Sequence, residues 1–301
     1  MRLPLLLALS LVLPGVALGD FRGDFEKIRK IDHHAEMVKF LDETAESEKE
    51  NPDYYALASN YWWQFAGMVN LSTKPAAKGE PSIRDTDTNE EVGSITTNGE
   101  LDPSLRKKAL ALTTEGFRRF PQRLDIGFGL AQVQFRMDDA KSSVATLREI
   151  LKISSAPDAK LKWTANADLP SPASTFVPES IQGYTAPLFQ AETEEADALC
   201  KELLDATVAA FPEHPFAYNL LAALADAKGD KDESYRLLKV AAEKAPEDPL
   251  ILMNLAEAHR ARGKKTEATA AYKKLIELKA DEESVAAAKE GLKALEEDKG
   301  E

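Results

Sequence analysis

The chain has 301 residues, 38 Lys and Arg against 51 Asp and Glu, and a net charge of −13. A phosphate backbone needs a clustered basic surface, and here the bases are scattered among more numerous carboxylates, so nucleic acid is excluded as an expected partner. The single cysteine, Cys200, excludes a disulfide framework, and stability must come from packing.

The first residues, MRLPLLLALSLVLPGVALGD, carry one base (Arg2), an apolar run from Leu5 to Leu13 and a small-residue end at Ala17-Leu18-Gly19. This is the pattern of an export signal. The run of about nine residues falls short of the roughly 20 that a membrane-crossing helix needs, and no membrane span is expected. Cleavage after Gly19 leaves Asp20 first, with no cysteine to lipidate, and moves the net charge from −13 to −14 because Arg2 is the only charge removed. A soluble protein, periplasmic or secreted, is expected.

A single helix is predicted over FEKIRKIDHHAEMVKFLDETAESEKE, with Ile28, Ile31, Met37, Val38 and Leu41 as its buried stripe. Within it His33 and His34 diverge by about 100° and have no His or Cys four residues away, so both read as solvent-facing and not as metal ligands. Pro52 ends one helix and opens another, at about 53 to 71, whose Trp62 and Trp63 read as packing or rim residues. Its partner helix is predicted at about 103 to 119, and an insert at about 73 to 102 separates the two.

The insert holds IRDTDTNEEVGSI, where Asp85, Asp87 and Asn89 alternate as at the start of a calcium loop. Such a loop needs glycine at its sixth place and a bidentate glutamate at its twelfth, and the chain has Glu90 and Thr96 there. Period two fits better. Ser82-Ile83-Arg84 and Val92-Gly93-Ser94-Ile95 are short extended runs around polar turn formers, which predicts a small β-hairpin.

Residues 119 to 152 are predicted as a further helix pair, with Asp138 at the turn. Gly127-Phe128-Gly129 inside it lacks the third glycine and the preceding strand of a phosphate loop, and reads as close helix packing. The stretch 153 to 175, rich in Pro, Ser and Ala and holding Trp163, is expected to be irregular. The next pair puts Ile181, Tyr184 and Leu188 on one helix and Cys200 and Leu204 on the other, with a lengthened turn around AETEE.

The strongest pattern comes next. Pro212 and Pro246, Pro215 and Pro249, and Gly229 and Gly263 are each 34 apart. Tyr218, Leu221, Ala222 and Ala225 are followed by Leu237, Leu238 and Ala241; in the next unit Leu252, Leu255 and Ala256 are followed by Ala268 and Tyr272. The glycines permit tight turns and the prolines stop each second helix. Cys200 falls in the slot of Ser234 and Ala268 and reads as a buried small residue. His214 falls in an inter-repeat turn and His259 at an inward packing position. A last amphipathic helix, with Val285, Ala288, Leu292 and Leu295, is placed to close the open end of an array.

Residues 212 to 280 resemble the tetratricopeptide repeat, a 34-residue helix-turn-helix that stacks on its neighbours. NYWW, VGSI and FPQRLDIGFG are also similar to a group of exported bacterial repeat proteins of undefined function. The resemblance implies an all-α fold: a right-handed α-α superhelix of about five helix pairs with a capping helix and a small β-hairpin insert. By layout, residues 1 to 19 are the export signal and 20 to 152 the leading helix and degenerate repeats. The irregular insert is 153 to 175, the clearer repeats 176 to 280, and the cap and tail 281 to 301. The resemblance further implies a concave groove lined by the first helix of each unit. Its facing positions map onto Phe128, Gln132, Phe135 and Arg136, onto Asn219, Ala223 and Asp226, and onto Met253, Glu257 and Arg260. Such a groove suits an extended peptide or a partner's helix.

No Ser-His-Asp order, nucleophile elbow or zinc pair can be assembled, so no catalytic residue, metal or cofactor is expected. The reading is an exported, non-catalytic scaffold that binds protein or peptide. An assembly or trafficking factor for envelope proteins is the alternative, and a calcium-dependent or hydrolytic protein using the 73 to 102 insert is a third.

Overall fold

A computed structural model describes residues 20–30, 34–66, 69–72, 82–84, 88, 90–97, 103–278 and 281–297. Its contacts divide the chain into two units, 1–112 and 113–301. The expected export signal, His33, Asp85, Asp87 and Asn89 lie outside the described residues. Among those described, no helix is long and apolar enough to cross a membrane.

The first unit begins with α1 (Phe21–Lys30) and α2 (His34–Thr44) where one helix is predicted. Phe21 stacks on Phe40 at 5.3 Å between ring centres. In one straight helix residues 19 apart would be about 28 Å apart, so the chain has to reverse between them. Phe21, Phe25, Met37 and Leu41 are buried, and Phe21 also meets Tyr54 edge-on at 5.6 Å. Aromatic attraction among Phe21, Phe40 and Tyr54 thus overrides the continuous helical period.

Helix α3 (Pro52–Phe65) is capped by Asn51, whose side chain accepts from the Asp53 N–H. Trp62 is buried beneath the Lys108 ammonium, 3.8 Å from its ring centre, and Trp63 is half-buried near Arg106. His34 is a correction. It is half-buried, stacked on Phe65, and its Nδ1 lies 2.6 Å from the Tyr61 hydroxyl, because the reversal folds it against α3.

The predicted helix over 53 to 71 is also corrected: it stops at Phe65, and β1 (Val69–Ser72) follows. Strands β2 (Ser82–Arg84) and β3 (Glu91–Thr97) are the expected hairpin, and all three make an antiparallel sheet in the order β1-β3-β2. Leu71 pairs with Ile95 and Ile83 with Gly93, with a register slip between Ile83 and Arg84. VNLS alternates apolar and polar residues, a period-two signal at the tail of an apparent helix.

The unit boundary falls within α4 (Pro103–Arg119). The second unit continues with helix pairs α5 (Leu124–Arg136) and α6 (Ala140–Ser154), then α7 (Ala173–Gln190) and α8 (Glu194–Ala210). Next come α9 (Phe216–Ala227) and α10 (Lys231–Lys244), α11 (Pro249–Ala261) and α12 (Lys265–Glu277), and last α13 (Glu282–Glu297). Each pair lies against the next, as the 34-residue period requires.

One residue in each within-pair turn is left-handed: Asp138 (φ 61°), Glu192 (φ 50°), Gly229 (φ 81°) and Gly263 (φ 69°). Asp138 therefore replaces the turn glycine without changing the turn, at the cost that a Cβ incurs there. Asp139, Thr193 and Asp230 cap the following helices by accepting from backbone N–H groups, which α12, opening at Lys264, lacks.

Cys200 is fully buried, and burial pushes its thiol up to about 11, as a packing residue requires. Gly127 fits its expected role: a Cβ there would stand 2.7 Å from the Phe117 ring and 3.1 Å from the Ile150 methyl. Gly129 has nothing within 4 Å. At the other end α13 lays Gly291 on the fully buried Tyr272, where a Cβ would run into the ring.

Candidate functional site

The face expected to bind differs between α5 and α9–α11. On α5, Gln132 and Arg136 are exposed and Phe135 is half-buried, but Phe128 is only 7% exposed. Tyr184 of α7 stacks on the Phe128 ring at 6.3 Å and donates its hydroxyl to the Phe128 carbonyl at 2.9 Å. Burial pushes that phenol up to about 12. Trp163 meets Phe128 at 6.3 Å and Phe176 at 4.9 Å. Phe128 is therefore a packing residue, a correction to its place among partner-facing residues.

The irregular stretch 155–172 brings Trp163 there. Arg123, 1% exposed, holds Asp125 through two bonds of 2.8 Å and donates to the Asn166 side-chain oxygen at 3.2 Å. The Lys162 carbonyl accepts from the Leu124 N–H, and the Lys162 N–H donates to the Gln122 carbonyl. The insert is thus tied to the start of α5 and covers part of the face that the period alone leaves open.

Between α9 and α11 the face is open. A groove of about 700 Å³ is lined by Ala222, Ala223 and Ala227 of α9 and by Ala258 and Ala261 of α11, with Ser234 and Leu238 of α10 also in its wall. Small side chains leave the space, and Phe189, 37% exposed at the end of α7, stands at its edge. Asn219 is buried and accepts from the Asn254 amide at 2.9 Å, so facing polar groups from successive first helices meet in the groove. Asp226 accepts from Lys231 at 2.7 Å. Glu257 also lines it, with one carboxylate oxygen taken by the Tyr272 hydroxyl and the other by Arg260.

Of the sequence-derived residues, then, Asn219, Ala223, Asp226 and Glu257 share one groove. Met253 packs instead against the C-terminal core of Leu252, Tyr272 and Leu295, and Arg260 serves Glu257 from outside the lining. Phe189, Asn254 and Arg262 belong to the groove and were not foreseen. A signal existed for Phe189, since it follows the buried Leu188 and a neighbour one position on points about 100° away. A smaller cavity of about 350 Å³ opens between α8, α9 and α10, rimmed by the Lys201–Asp205 and Arg236–Glu233 pairs.

No protein-family model matches the chain, and no curated protein matches it. Among solved structures, the chain is similar to TTC0263, a thermophilic TPR protein of Thermus thermophilus, at 20% identity over 63% of this chain and 92% of that one, with a TM-score of 0.38. It is similar to PilW, described as a widely conserved type IV pilus biogenesis factor, at 12% identity over 88% and 96%, TM-score 0.38. MamA matches at 12% identity over 59% and 90%, TM-score 0.37. At such scores the repeat architecture rests on this chain's own helix pairs and their 34-residue offset.

Proposed function

We propose that the chain is a non-catalytic scaffold that binds a polypeptide segment in the α9–α11 groove. The observation that supports this reading is the groove itself: an alanine-lined trough crossed by the Asn219–Asn254 pair and edged by the exposed ring of Phe189. Alanines admit apolar side chains of a partner, an aromatic ring at the edge supplies an anchor, and side-chain amides can satisfy the backbone groups of an extended segment. Asp226 supplies a charge already held by Lys231, and Glu257 one held by Arg260, so an incoming chain meets no unpaired carboxylate there.

Export is part of the same reading and rests on residues 1 to 19. An exported scaffold with such a groove acts in the envelope or outside the cell, and assembly or trafficking of envelope proteins is one form of that binding. The experiment is capture from an envelope extract with the natural protein, with Ala258→Trp to fill the groove, and with Arg136→Glu as an exposed control on α5. Ala258→Trp should abolish capture while Arg136→Glu keeps it. Capture that survives Ala258→Trp moves the site away from the groove.

A further inference from the structure

Tyr235, on α10, is ringed by cations. The Lys239 and Lys264 ammonium groups lie 5.1 and 4.8 Å from its ring centre and the Arg262 guanidinium 4.6 Å. Lys264 also donates to the Tyr235 hydroxyl at 3.1 Å. The buried His259 ring meets Tyr235 edge-on at 5.4 Å, its Nδ1 3.3 Å from the hydroxyl. These cations come from two segments, α10 and the turn between α11 and α12, so the repeat stacking assembles them.

Their neutralisation is incomplete. Arg262 is paired with Asp232 and bonded to the Lys231 carbonyl, both at 2.6 Å. Lys239 and Lys264 are exposed, and among the described residues neither has a carboxylate within ion-pair distance. Both are held instead by the Tyr235 ring, and Lys264 by its hydroxyl as well. His259 senses the same field: burial lowers its pKa most, Glu267 raises it, and Lys264 and Lys239 lower it further. The start of α12, with no side-chain cap, adds the partial positive charge of a helix N-terminus. The tyrosine face holds the cations, and it cannot cancel their mutual repulsion.

Arg262 belongs both to this cluster and to the groove. A segment lying in the groove that continues past Arg262 therefore meets Lys239 and Lys264 next. We propose that the Tyr235 edge is the acid-recognition end of the groove, where a bound polypeptide places Asp or Glu side chains against Lys239, Arg262 and Lys264. This rests on the groove reading above and adds to it the chemistry and direction of the ligand.

Two fluorescein-labelled dodecapeptides test it, one of alternating Ala and Leu ending in four Glu, the other ending in four Gln, followed by anisotropy at 20 and 150 mM salt. The Glu peptide should bind about tenfold more tightly at low salt, with the gap narrowing at 150 mM as the charges are screened. Lys239→Gln/Lys264→Gln, which removes two exposed ammonium groups without touching the core, should erase that preference. Equal binding of the two peptides, no binding of either, or a preference that survives the double substitution overturns the proposal. Ala258→Trp separates the two readings. If it leaves the Glu preference intact, the edge stands without the groove; if it abolishes equal binding of both peptides, the groove stands without the edge. Tighter binding of a labelled oligothymidine than of the Glu peptide would assign the edge to polyphosphate and overturn an acidic polypeptide as its ligand.

Discussion

The pairs α5–α8 and α9–α12 share one plan and end in opposite states, the first filled and the second open. In the first, Phe128 offers a large ring, and Trp163, Phe176 and Tyr184 gather on it, with the Arg123–Asp125 pair pinning the insert that carries Trp163. In the second, Ala222 and Ala223 leave no ring to cover and the connection from α10 to α11 is short, so none of the described residues fills the trough. Repeat period therefore places the helices, while residue size on the first helix and loop length decide whether the face between them binds.

Breaking the filled half should cost most. Arg123→Ala leaves the largely covered Asp125 carboxylate without its cation and should lower stability by about 3 kcal/mol in urea unfolding. Trp163→Ala removes a half-buried ring from the cluster and should cost about 2–3 kcal/mol, with protease cleavage newly directed to 155–172. Phe189→Ala, at the end of α7 but lining the open groove, inverts the pattern: stability should change by less than about 0.5 kcal/mol while captured partner falls severalfold.

The turns separate the halves by less. Gly229→Ala places a Cβ at φ 81° and should destabilise by about 1 kcal/mol, whereas Asp138→Gly relieves a Cβ at φ 61° and should be neutral or stabilising by about 0.5 kcal/mol, both read by thermal unfolding.

Acid sensitivity should be weaker still, and within the second unit it belongs to the open half, which holds His214 and His259. Burial lowers both pKa values, against an opposing pull from Glu179 on His214 and from Glu267 on His259. A histidine depressed in the folded state adds stability that is present above its unfolded pKa of about 6.5 and is lost as pH falls below it toward the folded value. The melting temperature should drop between pH 7 and 5, and His214→Gln/His259→Gln should flatten that drop.

Much of the array was legible because period, proline and glycine are local signals: Leu221, Ala222, Leu237, Ala256, Ala268 and Tyr272 sit as the 34-residue pattern places them. Asn219, Ala223, Asp226 and Glu257 came with them into one groove. What was not legible depended on contacts between distant residues. Phe21 against Phe40 split a helix that its own period reads as continuous, and β1 was hidden because four alternating residues cannot outweigh the helix before them. Phe128 was misplaced for a related reason: its helix position is correct, and the tryptophan that covers it arrives from a stretch with no period at all. Arg262 and the lysines around Tyr235 look like ordinary surface charge until stacking brings α10 and the α11–α12 turn together.

The contact of Gly291 with Tyr272 limits how such an array can change its length. The residue 34 positions before Tyr272 is Leu238, so a copy of the preceding unit spliced in front of α13 would present leucine where the glycine is shaped to receive a flat ring. Duplication is then tolerated inside the series and penalised at its end, and the final unit and its closing helix should be inherited together as one piece.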